Sequence, residues 1–209
     1  MTASRDPRRF RYNIEDVTEE LKFIVKSGWE VGLHGGYYSF NDLSAVKQEK
    51  SRLEKALGRE VMGYRNHYLR FESPTTWDIL EKCGFKYDST YGYTNAMGFR
   101  NGMCHPFRPY NVQRQEWIDI YELPLHIMEC AMFDLVKPDE AWGLVKQMVD
   151  RVELNKGVLT VLWHNDIFGC PFRVHWSALY EKILRYGREK NAWMTSGEAL
   201  WRWWKENDY

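Results

Sequence analysis

The chain has 209 residues, a length that favours one folding unit, and is 44% hydrophobic and 16% aromatic, enough to bury a sizeable core. Lys and Arg together number 29, as do Asp and Glu, so the basic footprint of a nucleic-acid-binding protein is absent, and no apolar run reaches the length of a membrane span. Cys83, Cys104, Cys130 and Cys170 form no C-x-x-C pair, which argues against a zinc ribbon or a thioredoxin-like motif and for a reduced, cytoplasmic setting.

The leader from Met1 to Phe10 is charged and lacks the apolar core of a signal peptide. Asn13 is placed to cap a helix with Ile14, Val17, Leu21, Ile24 and Val25 on its inner face, ended by Gly28. Glu30 to Leu33 reads as a strand that delivers His34 into a Gly-Gly-Tyr-Tyr-Ser loop. A helix from Leu43 to Leu57 turns Val46, Leu53 and Leu57 inward and stops at Gly58. Val61 to Tyr64 is the next strand, ending at Arg65. Ser73-Pro74 opens a helix that reaches Gly84, and Phe85 to Asp88 is again strand-like.

Ser89 to Gln115 is irregular, and a loop of that length in a compact domain is often functional. Ile118 to Leu125 reads as strand. Lys137-Pro138-Asp139 opens a helix carrying Trp142, Val145, Val149 and Val152, with Gly157 just beyond its end. Val158 to Trp163 holds no charge and predicts a strand buried on both faces. It runs into His164-Asn165-Asp166. A helix from His175 to Lys190, a short strand from Ala192 to Met194 and a helix from Ser196 complete the order. Strands alternating with helices predict a parallel α/β architecture. The polar strand ends (His34, Arg65, Asp88 and His164) favour an incomplete or distorted β/α barrel, whose chemistry gathers at the C-terminal strand ends. No glycine-rich phosphate loop follows any strand.

An arginine beside an imidazole and an aromatic ring, as in Arg65-Asn66-His67-Tyr68, suits holding a carboxylate. A histidine after an apolar strand, as at His164, suits acid–base work. The 10 Trp and 13 Tyr read most simply as core, or as rings that stack on sugar faces.

Taken as a set, "GWEVGLHGGYYSF", "GYRNHYLRF", "CGFKYDSTYGY", "VLTVLWHND" and "NAWMTSGEALWRW" resemble, in order and spacing, the motifs of the polysaccharide deacetylase family (carbohydrate esterase family four, the NodB-homology domain). "GFRNGMCHPFRPYN" and "ELPLHIMECAMF" are similar to the variable middle of a subgroup acting on surface polysaccharides. The resemblance implies one deacetylase-type domain over residues 1–209 and hydrolysis of N-acetyl groups on a carbohydrate. It implies a divalent cation, of zinc type, held by His34. It further implies that Arg65 orients a base, that the Tyr68 backbone N–H meets the oxyanion, and that His164 is the acid. Tyr38 stands where the family has a second histidine ligand, and nothing before His34, neither Asp6 nor Asp16, matches the family's paired aspartates. The expectation is therefore a chain lacking its first β/α unit, which binds metal weakly or not at all. The alternative is a catalytically degenerate carbohydrate-binding homologue. Tyr38, His67, Asp88 and His105 are the expected substrate contacts, with His67 also open as a replacement ligand. Asp166 is open as an orienting partner of His164 or a loop cap.

Overall fold

The computed structural model describes residues 13–133 and 135–207; the charged leader, with Asp6, lies outside them. Two compact units emerge. One comprises the described parts of Met1–Tyr91, Pro106–Leu123 and Ser196–Tyr209, and the other Gly92–His105 with Pro124–Thr195. Strands alternate with helices and the main pairings are parallel, as the element order predicts; among the described residues no sheet closes into a barrel.

In the first unit, β1 (Leu33–Gly35), β2 (Gly63–Asn66), β3 (Tyr87–Asp88) and β6 (Tyr121–Glu122) form a parallel sheet in that order. The strands start later than the apolar pattern predicts, so His34 and Arg65 lie within β1 and β2 instead of after them. Gly35 is required by contact: a Cβ there would meet the Tyr64 hydroxyl at 2.0 Å. Helix α1 (Thr18–Lys26) forms where expected, after a single 3-10 turn whose Asp16 carboxylate accepts from the Asn13 N–H at 2.8 Å. Its inner face is not buried as the spacing predicts. Ile14 alone of the five named positions is in the core, while Phe23 and Trp29 are exposed.

Helix α2 (Leu43–Leu57) has the predicted bounds, and the Asp42 carboxylate caps it by accepting from the N–H groups of Ser44 and Ala45 at 2.9 and 3.0 Å. Gly58, at φ 68°, ends it in the left-handed conformation that glycine adopts without strain. Val46 and Leu53 enter a core with Leu33, Val61, Trp77, Leu80 and Phe85. Buried Leu or Phe side chains each contribute about 1.5–3 kcal/mol. Two charged residues of α2 are also buried, and both are used. Glu49 accepts from the Gly36 N–H (3.1 Å) and the Ser39 hydroxyl (3.0 Å), tying down the loop after β1. Lys50 donates to the Cys83 and Gly84 carbonyls at 3.1 Å each, satisfying the end of α3 (Thr75–Lys82). The remaining parts of this unit are a hairpin of β4 (Tyr110–Asn111) and β5 (Glu116–Trp117), and helix α7 (Gly197–Glu206), capped by the Ser196 hydroxyl.

In the second unit, β7 (Leu125–Met128) pairs in parallel with β8 (Thr160–Leu162). The expected strand over Ile118 to Leu125 is divided here: Pro124 has no N–H for a ladder, and β6 and β7 lie on either side of it. β8 is half-buried along its length and not buried on both faces, because β7 is its one strand partner among the described residues. The predicted strand from Ala192 to Met194 is irregular chain. His126 serves the sheet: its Nδ1 accepts from the Thr160 N–H at 3.2 Å, and burial lowers its pKa to about 4. Helices α5 (Pro138–Leu154) and α6 (Val174–Glu189) pack a core of Ile127, Val145, Val149, Trp176, Leu179 and Ile183, after a short α4 (Glu129–Met132). No disulfide links the four cysteines, and no described helix is long and apolar enough to cross a membrane.

The β3–β6 register sets Asp88 opposite Glu122, two carboxyl groups with no solvent exposure. Thr90 donates to Asp88 through N–H and hydroxyl, while the Trp77 indole (2.8 Å) and the Tyr91 N–H (3.1 Å) donate to Glu122. Asp88 Oδ2 has no hydrogen-bond partner among the described residues. Burial raises both groups, Glu122 well above its ordinary value and Asp88 to about 6. Carboxyls with raised folded pKa values stabilise most below their unfolded values and lose that contribution as pH rises through the folded ones. Glu122→Gln keeps one acceptor oxygen for the indole and removes the group that titrates. Its thermal midpoint should gain on wild type as pH rises above about 4, read by melting the two proteins across a pH series.

Candidate active site

Register creates the first cluster. His34 pairs with Arg65 across β1 and β2. The His34 Nδ1 lies 3.1 Å from the Arg65 carbonyl, which can only accept, so Nδ1 carries the hydrogen and Nε2 is the basic atom. Nε2 accepts from His67 Nδ1 at 3.0 Å, with the two rings edge to face. A backbone carbonyl holding one imidazole N–H is the arrangement that aims the other nitrogen of a metal-ligating histidine. Desolvation, and then the neighbouring His67, push the His34 pKa down and keep the ring neutral; its exposed edge moderates the desolvation.

His67 is held by its predecessor. Asn66 is fully buried; its Oδ1 accepts from the His67 N–H (3.1 Å) and the Tyr64 hydroxyl (3.0 Å), and its Nδ2 donates to the Arg70 carbonyl (2.7 Å). The chain between turns through left-handed conformations at Tyr68 (φ 59°) and Leu69 (φ 49°). Such conformations cost roughly 1–3 kcal/mol each and persist where surrounding contacts impose them. Tyr68 and Tyr38 are exposed, and each stands edge-on to Tyr37. Arg65 Nε donates to the Ser89 carbonyl and hydroxyl at 3.1 Å; desolvation lowers its pKa and Asp88 opposes this. Asp88, expected among substrate contacts, is sealed from solvent behind this cluster.

Two ligands on a tetrahedral zinc lie roughly 3.3 Å apart, so the His34–His67 spacing of 3.0 Å fits a pair of zinc ligands. No third histidine, thiol or carboxylate donor joins that pair among the described residues. Asp16 serves its helix cap.

The second unit builds another cluster. Met128 is in register with Leu162, so Glu129, just beyond β7, comes beside His164. Glu129 Oε1 accepts from the His164 backbone N–H (3.2 Å), the His164 Nδ1 in a very short contact, and the Cys130 thiol (3.2 Å). Cys130 Sγ is 3.7 Å from the same Nδ1. Contacts with Cys130 and with the Glu129 carboxylate raise His164 to about 10. Burial pushes Glu129 up, but the hydrogen bond and charge of His164 outweigh it and hold the carboxyl below its ordinary value. Asp166 is exposed and pairs with Arg173 at 3.6 Å, so Glu129 is the group that orients His164. His105 Nε2 contacts the Asn155 carbonyl at 3.1 Å. Sequence reasoning missed Glu129 and Cys130; the available signal was an acid directly after an apolar run, at the end of a strand assigned too early.

No protein-family model matches the chain. It is 25% identical over 231 residues to a peptidoglycan deacetylase of Helicobacter pylori, an alignment covering 94% of this chain and 77% of that protein. Among solved structures, a Mycobacterium smegmatis protein described as a polysaccharide deacetylase superposes with a TM-score of 0.67 at 18% identity, covering 91% of this chain and 68% of the other. PuuE allantoinase gives 0.67 at 16% identity, covering 91% of this chain and 63% of its own. A Pseudomonas aeruginosa protein, also described as a polysaccharide deacetylase, gives 0.63 at 16% identity, covering 90% and 63%. The chain has the polysaccharide deacetylase fold. The likeness in sequence to the Helicobacter pylori enzyme supports that family, and this chain spans less than two thirds of the last two structures' length.

Asn66→Ala should destabilise the protein by about 2–4 kcal/mol, since the buried Tyr64 hydroxyl and two backbone groups lose their partner. Chemical denaturation gives the loss. Imidazole NMR should show the His34–His67 hydrogen bond weakened in the folded variant.

Proposed function

We propose that the chain is a metal-dependent carbohydrate N-deacetylase acting on a surface polysaccharide of the peptidoglycan kind. The observation that carries this reading is the His34–His67 pair beside Arg65, His34 and Arg65 being in register across β1 and β2, with His34 Nε2 aimed by a backbone carbonyl. The name of the Helicobacter pylori relative supplies the substrate class. In this reading His34 and His67 hold a divalent cation, which supplies Lewis-acid polarisation of the acetyl oxygen and a more acidic water. Exposed Tyr38 and Tyr68 offer ring faces to the sugar, and the Tyr68 N–H is the donor for the oxyanion.

His164 is the proposed acid. Glu129 and Cys130 engage its Nδ1, which leaves Nε2 as the ring atom able to give up a proton. Glu129 is a positioning residue, fixing the tautomer and the ring plane.

A second reading has an observation of its own. Tyr38 stands where the resemblance implies a second histidine ligand, which favours a degenerate homologue that binds glycan without hydrolysing it. Acetate release from N-acetylated peptidoglycan fragments separates the two. The deacetylase reading expects release, slow in this chain, that stops on chelation and returns with zinc or cobalt, metals that suit imidazole. His164→Ala should lower kcat by roughly a hundredfold or more, with little change in KM, the scale of a lost general acid. Glu129→Gln should lower kcat more than KM. Glycan binding with no release at any metal concentration would leave the second reading.

A further inference from the structure

Outside the His34–His67 pair, the described residues bring metal-type donors together once more. Glu129 Oε1, Cys130 Sγ and His164 Nδ1 all lie within 4.8 Å of one another. We infer that they form a binding site for a single thiophilic divalent cation of the zinc class, built from different residues than the imidazole pair.

Distances are the first support. In a tetrahedral zinc site, with Zn–S about 2.3 Å and Zn–N about 2.0–2.1 Å, sulfur and nitrogen ligands lie roughly 3.5 Å apart. Cys130 Sγ is 3.7 Å from His164 Nδ1 and 3.2 Å from Glu129 Oε1. Admitting the ion requires the carboxylate and ring, now in hydrogen-bond contact, to draw apart. Thiolate, imidazole and carboxylate are the three side-chain ligand types that zinc takes. A single carboxylate and a single thiolate also neutralise a divalent charge.

An independent observation points to the same ligand. Glu129 has no solvent exposure, and its Oε2 has no hydrogen-bond partner among the described residues. A buried carboxylate oxygen left bare is rare in native proteins, and a bound ion is among its few explanations. Access is open from the other side, because Cys130 is exposed and the His164 side chain keeps 43% of its surface. The site would thus offer three protein ligands and an open position. On binding, metal–sulfur and metal–nitrogen bonds replace the Cys130 S–H and the His164 Nδ1–H, both protons pass to solvent, and the ring keeps hydrogen on Nε2. Occupancy and the proton-donor role of His164 therefore compete. That consequence rests on the proposed function; the site itself does not.

Cobalt(II) titration of the full 209-residue chain tests the site without reference to turnover. The expected result is a thiolate-to-cobalt charge-transfer band in the near ultraviolet that saturates at one equivalent. In Cys130→Ser the band should vanish and zinc affinity, from competition, fall by roughly a hundredfold or more with the loss of a protein ligand. In His67→Ala both should persist. Alkylation of Cys130, followed by mass spectrometry, should slow when cadmium is present, which checks the site in unmutated protein. Absence of the band, its survival in Cys130→Ser, or cadmium-insensitive alkylation would overturn the inference. Failure of acetate release would bear only on the deacetylase reading.

Discussion

The parallel pairing of β1 with β2 sets the terms for everything in the first cluster. Slipping it by one residue would turn His34 to the opposite face of the sheet, because side chains alternate along a strand. Two features prevent the slip. Tyr64 lies against Gly35, where only a residue without Cβ fits, and its hydroxyl is donated to Asn66. Asn66 in turn holds the backbone of His67 and Arg70. One buried side chain thus links the register of two strands to the position of a loop imidazole. Glu49 does the same from α2 for the loop that follows His34. The cluster is exposed, but the groups that aim it are buried.

The two clusters rest on different physics. Desolvation and a second imidazole lower the His34 pKa, although one edge of the ring is exposed. His164 sits against a buried carboxylate and a thiol, which favour the protonated ring. Neighbours of opposite kind therefore shift two histidines in one chain in opposite directions. Both residues follow apolar strand-like runs in the sequence, which does not report these surroundings.

Legibility in the sequence followed the range of the interaction. Helices α2 and α5 were readable to the residue or nearly so because their signals are local: Gly58 and Pro138 act within one turn. Strand limits were displaced by two or three residues, since pairing partners decide them. The spacing placed Ile24 and Val25 of α1 inward, yet burial depends on what is packed opposite, which periodicity does not report. His34, Arg65 and His164 stood out as polar residues after apolar runs, although His34 and Arg65 lie within their strands. Glu129 was not, because its role exists only through the register of β7 with β8, and a carboxylate after a strand has many ordinary uses. Asn66 was hidden similarly: nothing in its neighbours along the chain announces that three groups depend on it.

The indole of Trp77 donates its N–H to Glu122, the buried carboxyl whose pKa burial and the neighbouring Asp88 raise. Indole emission responds to a charge beside the ring nitrogen, so this contact makes Trp77 an optical reporter of the acid pair. Among 10 tryptophans its signal is isolated by subtracting the spectrum of a Trp77→Phe protein. The buried proton, invisible in the chain's overall charge balance, would then be read as light.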